Sequence, residues 1–130
     1  MKVKITYTVP FHDTDALGII WYGNYYKYFE LVRNFLFEKI KFEISEWKNQ
    51  KLMLVITESN CKYLKPLKYN DKIIISASVS ESVYRLKLNY KIHKGKILVA
   101  TGYTIQVPIK DDNYVILNKL PKKLIDKLNK

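Results

Sequence analysis

The sequence predicts an α+β domain in which one long, mostly apolar helix is wrapped by a single curved antiparallel sheet. Three observations carry this. The segment Asn24 to Ile40 contains neither Gly nor Pro and is built from good helix formers. One segment before it and four after it alternate apolar and polar residues with the period of two that half-buried strands require. The connections between the later strands are short, as antiparallel neighbours allow.

Val3, Ile5, Tyr7 and Val9 alternate with Lys4, Thr6 and Thr8, so a first strand is expected to end at Pro10. Phe11 to Gly18 carries His12, Asp13, Thr14 and Asp15, a polar segment with turn chemistry. Gly23-Asn24 offers the helix start, Asn being a favoured N-cap. Within the helix, Phe29, Val32, Leu36 and Ile40 form one stripe, and Tyr25, Tyr28, Leu31, Phe35 and Phe37 widen it. A helix so apolar on most sides needs the rest of the protein around it. Ser45 to Gln50 reads as one further helical turn. Leu52 to Leu64 is the second strand, closed by Lys65 to Asp71; Lys72 to Ser82 is the third, with Ile73, Ile75, Ala77 and Val79 on one side. Arg85 to His93 turns at Lys94-Gly95-Lys96 into the last strand, Ile97 to Ile109. Lys110 to Asn113 is a turn, and Pro121 to Leu128 is a C-terminal helix with Pro in its first turn. No repeat or linker interrupts this order, so residues 1–130 are expected to form a single domain.

Composition limits the function classes. With 48% hydrophobic and 27% charged residues in a chain of 130, wholesale disorder is excluded. The single cysteine, Cys61, excludes an internal disulfide framework and a cysteine-rich zinc site. No spacing of His, Cys, Asp or Glu suggests a metal, and there is no glycine-rich phosphate loop. The formal charge is +11, and all basic residues except Arg33 and Arg85 are lysines scattered from Lys2 to Lys130. Such a surface favours polyanionic ligands, small nucleotides included. Nucleic-acid binding is not expected, because arginine forks are scarce and no strand carries an aromatic–basic motif. No apolar run approaches the roughly 18 residues of a membrane span. The alternating start is not a signal peptide, so the expected location is the cytoplasm.

One segment concentrates chemistry: Phe11 to Tyr25 places two carboxylates in a tight turn, then Gly18, a short apolar run and the helix start. Helix N-termini present unpaired backbone N–H groups and partial positive charge. Amides of Tyr22, Gly23 and Asn24 can therefore face a developing oxyanion, with Asp15 folding back over the same point. Asp-Thr-Asp is also ordinary turn and cap chemistry, and spacing alone leaves both readings open.

The run Asp15-Ala16-Leu17-Gly18-Ile19-Ile20-Trp21-Tyr22-Gly23-Asn24-Tyr25 resembles the active-site signature of 4-hydroxybenzoyl-CoA thioesterase-like hotdog proteins. Tyr28-Phe29-Glu30 with Arg33, Tyr63-Leu64-Lys65-Pro66 and Asn70-Asp71 extend the resemblance, Asn70 standing where the family's turn usually has glycine. In length the chain is nearest the short acyl-CoA thioesterases associated with the Tol-Pal system. The resemblance implies a hotdog fold and hydrolysis of an acyl-CoA or acyl-carrier thioester without metal or redox cofactor. It implies Asp15 as nucleophile or general base, Tyr22 as the residue whose amide polarises the carbonyl, and Gly18 and Gly23 as small positions that admit substrate. It also implies a homodimer joined sheet edge to sheet edge, with each active site built across the boundary from Asp15 of one chain and the helix-start amides of the other; many relatives pair such dimers into tetramers. Lys62, Lys65, Lys68 and Arg85 are candidates for the phosphates of coenzyme A. A non-catalytic acyl-CoA-binding module is the alternative function. His12 and His93 are expected to face solvent, Cys61 to be a small buried hydrophobe, and Glu30–Arg33 to be a structural ion pair.

Overall fold

The computed structural model describes residues 1–130 except 43–46, 50, 111–112 and 130. Strand β1 (Lys2–Thr8) leads through a 3-10 turn (Phe11–Asp13) to helix α1 (Asn24–Lys39). Strands β2 (Leu52–Tyr63), β3 (Lys72–Ser82), β4 (Leu86–Lys94) and β5 (Ile97–Lys110) follow, then a short helix α2 (Lys122–Leu128). Gly23, not Asn24, is the N-cap of α1, and Asn24 is its first helical residue. Trp47 to Asn49 are helical; the rest of the turn expected over Ser45 to Gln50 lies outside the described residues, as do Asp111 and Asp112 of the expected Lys110–Asn113 turn.

All five strands join one antiparallel sheet in the order β1-β3-β4-β5-β2. Short connections do give adjacency for β3–β4 and β4–β5, but not for β2–β3. Those two strands lie three spacings apart, roughly 14 Å. Residues 64–71 can reach roughly 25 Å when extended, enough to arch over the end of the sheet. β2 thus becomes an outer strand, paired only with β5.

Alternation explains the core. Val3, Ile73, Ile75, Ala77, Leu86, Leu88, Tyr90 and Ile92 are buried toward α1, which offers Tyr25, Tyr28, Phe29, Val32 and Leu36 in return. The backbone of α1 lies nearest β3 and β1. Phe29 reaches across to stack on Tyr90, ring centroids 4.5 Å apart and planes 9° from parallel. Gly102 of β5 makes room for this ring: a Cβ there would stand 2.6 Å from Phe29 and 2.4 Å from the Asn60 carbonyl. Beside the ring runs a satisfied polar chain. Arg33 Nη1 donates to Glu30 (2.8 Å), its Nε to buried Gln106 (2.7 Å), and Gln106 in turn to Thr104 (3.1 Å), which shares a hydrogen with Tyr90 (2.8 Å). Glu30–Arg33 is therefore an ion pair tied into the helix–sheet contact. Among the described residues no buried side-chain N or O lacks a partner.

Gly102 pairs with Cys61, and Ile56, Ser59 and Tyr63 pair with Gln106, Thr104 and Ala100, so these β2 residues share the helix-facing side. α1 covers them only in part, with Cys61 half-buried and Tyr25 meeting the Tyr63 ring. Ile56 and Tyr63 stay exposed, as do Tyr22 and Tyr26 on the adjoining flank of the helix start.

Candidate active site

The loop between β1 and α1 is shaped by its own residues. Thr14 forms an antiparallel bridge with Ile20, and the Asp15 amide donates to the Ile19 carbonyl at 2.8 Å, making residues 14–20 a tight hairpin. Its turn closes through the Gly18 amide on the Asp15 carbonyl (3.0 Å). Gly18 has φ +80°, the left-handed region that favours glycine, and nothing in the chain stands within 4 Å of where a Cβ would be. The hairpin is fastened to the β2–β3 loop, where the Ile20 amide donates to the Leu67 carbonyl (2.8 Å) and Ile19 bridges Lys68.

The two carboxylates end in opposite surroundings. Asp15 is exposed at the hairpin tip, where Oδ1 accepts the Leu17 amide at 2.8 Å. This orients the carboxylate and leaves Oδ2 without a partner among the described residues. Asp13 is 2% exposed and accepts from the Tyr28 hydroxyl (2.8 Å) and the Lys27 ammonium. His12 Nε2 is 3.7 Å from it, on a largely exposed ring.

At the helix start the amides divide in the same way. Asn24 N–H donates to the Trp21 carbonyl (2.9 Å) and Tyr25 N–H to the Tyr22 carbonyl (3.3 Å), so the Asn24 amide is not free for a ligand. The Tyr22 and Gly23 amides donate to nothing among the described residues. Gly23 has ordinary helical φ, −64°, and a Cβ there would stand 2.3 Å from the Trp21 ring. Its small size thus lets the Trp21 ring lie against the backbone. Trp21 is 51% and Tyr22 64% exposed, an unusual amount of aromatic surface beside an unengaged pair of amides. Tyr63 of β2 donates its hydroxyl to the Tyr22 carbonyl (3.3 Å) and meets Tyr25 edge-on at 4.9 Å. Burial, and then the neighbouring Cys61, push that hydroxyl up to about 12, so it stays a donor at neutral pH.

The remaining sequence candidates separate. Lys62, Lys65 and Lys68 are exposed at the end of the sheet that carries the hairpin. Arg85 is not with them. It sits in the β3–β4 turn, beyond the far end of the 11-residue β3, a rise of roughly 33 Å, and its Nε is paired with Glu81 at 2.9 Å. His93 is half-buried rather than solvent-facing. Cys61 is half-buried, and burial raises its thiol pKa, the opposite of what a nucleophile needs. A cleft lined by Thr6, Tyr7, Lys72 and Gly95 opens along β1, but it holds neither a carboxylate nor an unengaged helix-start amide. Asp13 with Lys27 and Tyr28, and Tyr63 against Tyr22, were not singled out by sequence. Their partners lie 14, 15 and 41 residues away, and only the fold joins them.

The chain matches the family described as the thioesterase-like superfamily over residues 9–127. It is 31% identical over 121 residues to a protein of Aquifex aeolicus provisionally named an esterase, with 92% of each chain covered. It is 29% identical over 99 residues to the 1,4-dihydroxy-2-naphthoyl-CoA hydrolase of Microcystis aeruginosa, covering 75% of this chain and 72% of that one. The crystal structure of a DHNA-CoA thioesterase from Staphylococcus aureus superposes with a TM-score of 0.82 at 26% identity, over 90% of this chain and 80% of that one.

Proposed function

Since this chain belongs to the thioesterase-like hotdog superfamily and is an acyl-CoA thioester hydrolase, we propose that Asp15 and the Tyr22–Gly23 amides carry its reaction. The Asp15 carboxylate attacks the thioester carbonyl or takes the proton of an attacking water. The two unengaged amides hydrogen-bond the oxygen as it gains negative charge. The C–S bond breaks, coenzyme A leaves as a thiolate, and water supplies the oxygen of the free acid. The carrying observation is that one short loop presents an oriented, exposed carboxylate and, where it enters the helix, two amides that nothing else in the described chain uses.

The exposed rings of Trp21, Tyr22 and Tyr63 beside those amides favour an aromatic acyl group, which they can stack upon. The relatives named for a dihydroxynaphthoyl-CoA substrate support the same class. Lys62, Lys65 and Lys68 are proposed to meet the phosphates of coenzyme A. The working unit is proposed to be a homodimer. A second copy added along β2 would cover the Ile56 and Tyr26 flank, leave the Trp21, Tyr22 and Tyr63 rings at the boundary for the acyl group, and satisfy the free edge of that strand.

The test is hydrolysis of a panel of aromatic and aliphatic acyl-CoA esters by wild type and Asp15→Asn. The variant keeps the shape and the Leu17 contact, so kcat should fall by on the order of 100-fold or more while acyl-CoA still binds. Near-wild-type turnover by Asp15→Asn would remove the assignment. Binding without turnover by the wild type would favour the acyl-CoA-binding module instead.

A further inference from the structure

We propose that Asp13 is a positioning residue for thioester hydrolysis, holding this chain's Asp15 hairpin and its Tyr22–Gly23 amides on one frame, so that each reaches its place in a site built across the proposed dimer boundary. The proposal rests on the assignment of those groups given above. Asp13 uses both its side chain and its main chain. Oδ2 accepts from the Tyr28 hydroxyl at 2.8 Å and Oδ1 from the Lys27 ammonium, both on the first turns of α1. Its carbonyl accepts the Trp21 amide (3.0 Å) and the Asn24 side-chain amide (2.8 Å). Trp21 and Asn24 bracket the two residues whose amides are unengaged, and Asp15 follows two positions after Asp13. One residue therefore fastens the root of the hairpin, the residues flanking the amide pair and the body of the helix.

The anchor is stiff because it is buried. A carboxylate 2% exposed must keep its partners, and the Tyr28 ring that holds it is wholly enclosed. Burial, and then the Asp13 carboxylate itself, hold the Tyr28 hydroxyl far above its ordinary range, so this donor is never lost to ionisation in working conditions. Lys27 is partly exposed and screened by water, so Tyr28 is expected to be the stronger holder. A small displacement between a reacting group and its oxyanion donors costs orders of magnitude in rate while leaving substrate affinity nearly intact.

Asp13→Ala, Asp13→Asn and Tyr28→Phe are compared by steady-state kinetics below their melting temperatures, with Asp15→Asn in the same assay. Asp13→Ala should lower kcat by on the order of 30-fold with KM within about threefold. Asp13→Asn, which still accepts from Tyr28, should recover part of that loss. Tyr28→Phe should lower kcat by roughly tenfold, and combined with Asp13→Ala should add little. Amide hydrogen exchange at Trp21 should quicken about tenfold in Asp13→Ala, a readout independent of activity. Wild-type kcat in folded Asp13→Ala, or unchanged exchange, would overturn the proposal. If Asp13→Ala does not fold, wild-type kcat in Tyr28→Phe would overturn it equally. An active Asp15→Asn would instead mark the failure of the site assignment itself.

Discussion

At Asp71 the carboxylate accepts the Lys68 amide through Oδ2 (2.8 Å) and the Lys94 ammonium through Oδ1 (2.9 Å), while its carbonyl accepts from Val9 (2.9 Å). Burial alone would raise its pKa. The Lys68 hydrogen bond and the Lys94 charge outweigh it and hold the carboxyl below its ordinary 3.8. Because the folded value lies below the unfolded one, the contribution is present above about pH 4 and fades as pH falls through the folded value. Asp71→Asn should cost about 1 kcal/mol in urea denaturation at pH 7, and the gap to wild type should narrow at about pH 3; an equal gap at both values would contradict this. The adjoining Asn70 has φ +71°, the left-handed conformation that suits the family's usual glycine and that Asn tolerates. That turn was legible in the sequence because its chemistry is local. The burial of Asp13 was not: resemblance selects Asp15 of the two, but only the approach of Lys27 and Tyr28 shows that Asp13 is a buried anchor beside an exposed tip.

Elements show the same division. β3 runs over the expected Lys72 to Ser82, and the other strands end within two residues of expectation, because alternation is a property of consecutive residues. The position of β2 beside β5 depends on a loop long enough to bypass two strands, which periodicity does not encode. Close packing between elements is equally silent in sequence, and Gly102 is the sharpest instance. Gly102→Ala must displace either the β2 backbone at Asn60 or the Phe29 ring stacked on Tyr90, and should cost about 2–3 kcal/mol with a melting temperature lower by several degrees. The nearest atoms a Cβ at Gly23 meets all belong to the half-exposed Trp21 ring, which can swing aside, so Gly23→Ala should cost near 0.5 kcal/mol. Thermal melts of the pair distinguish the two kinds of glycine.

For the whole molecule, the free edge of β2 and the exposed flank beside it make a dilution prediction. If a second copy completes the site, specific activity should fall as the chain is diluted through its dimer dissociation constant, with light scattering reporting the change in mass over the same range. Full activity from a monomer would refute the shared site. Fold class could be read from sequence. That one helix cannot cover both edges of a five-stranded sheet already argues for a second copy, but which strand is the free edge becomes visible only when the strand order is known. That order also sets a clock for synthesis. β2 leaves the ribosome before β3 and β4, which pair with each other and not with it, and its only neighbour, β5, begins at Ile97. At roughly 5–20 residues per second, the apolar half Leu52-Met53-Leu54-Val55-Ile56 waits several seconds without a native partner. The polar half that follows, Thr57-Glu58-Ser59-Asn60, places a charge and three polar side chains next to that run, the kind of flank that discourages strand pairing with another copy in the meantime.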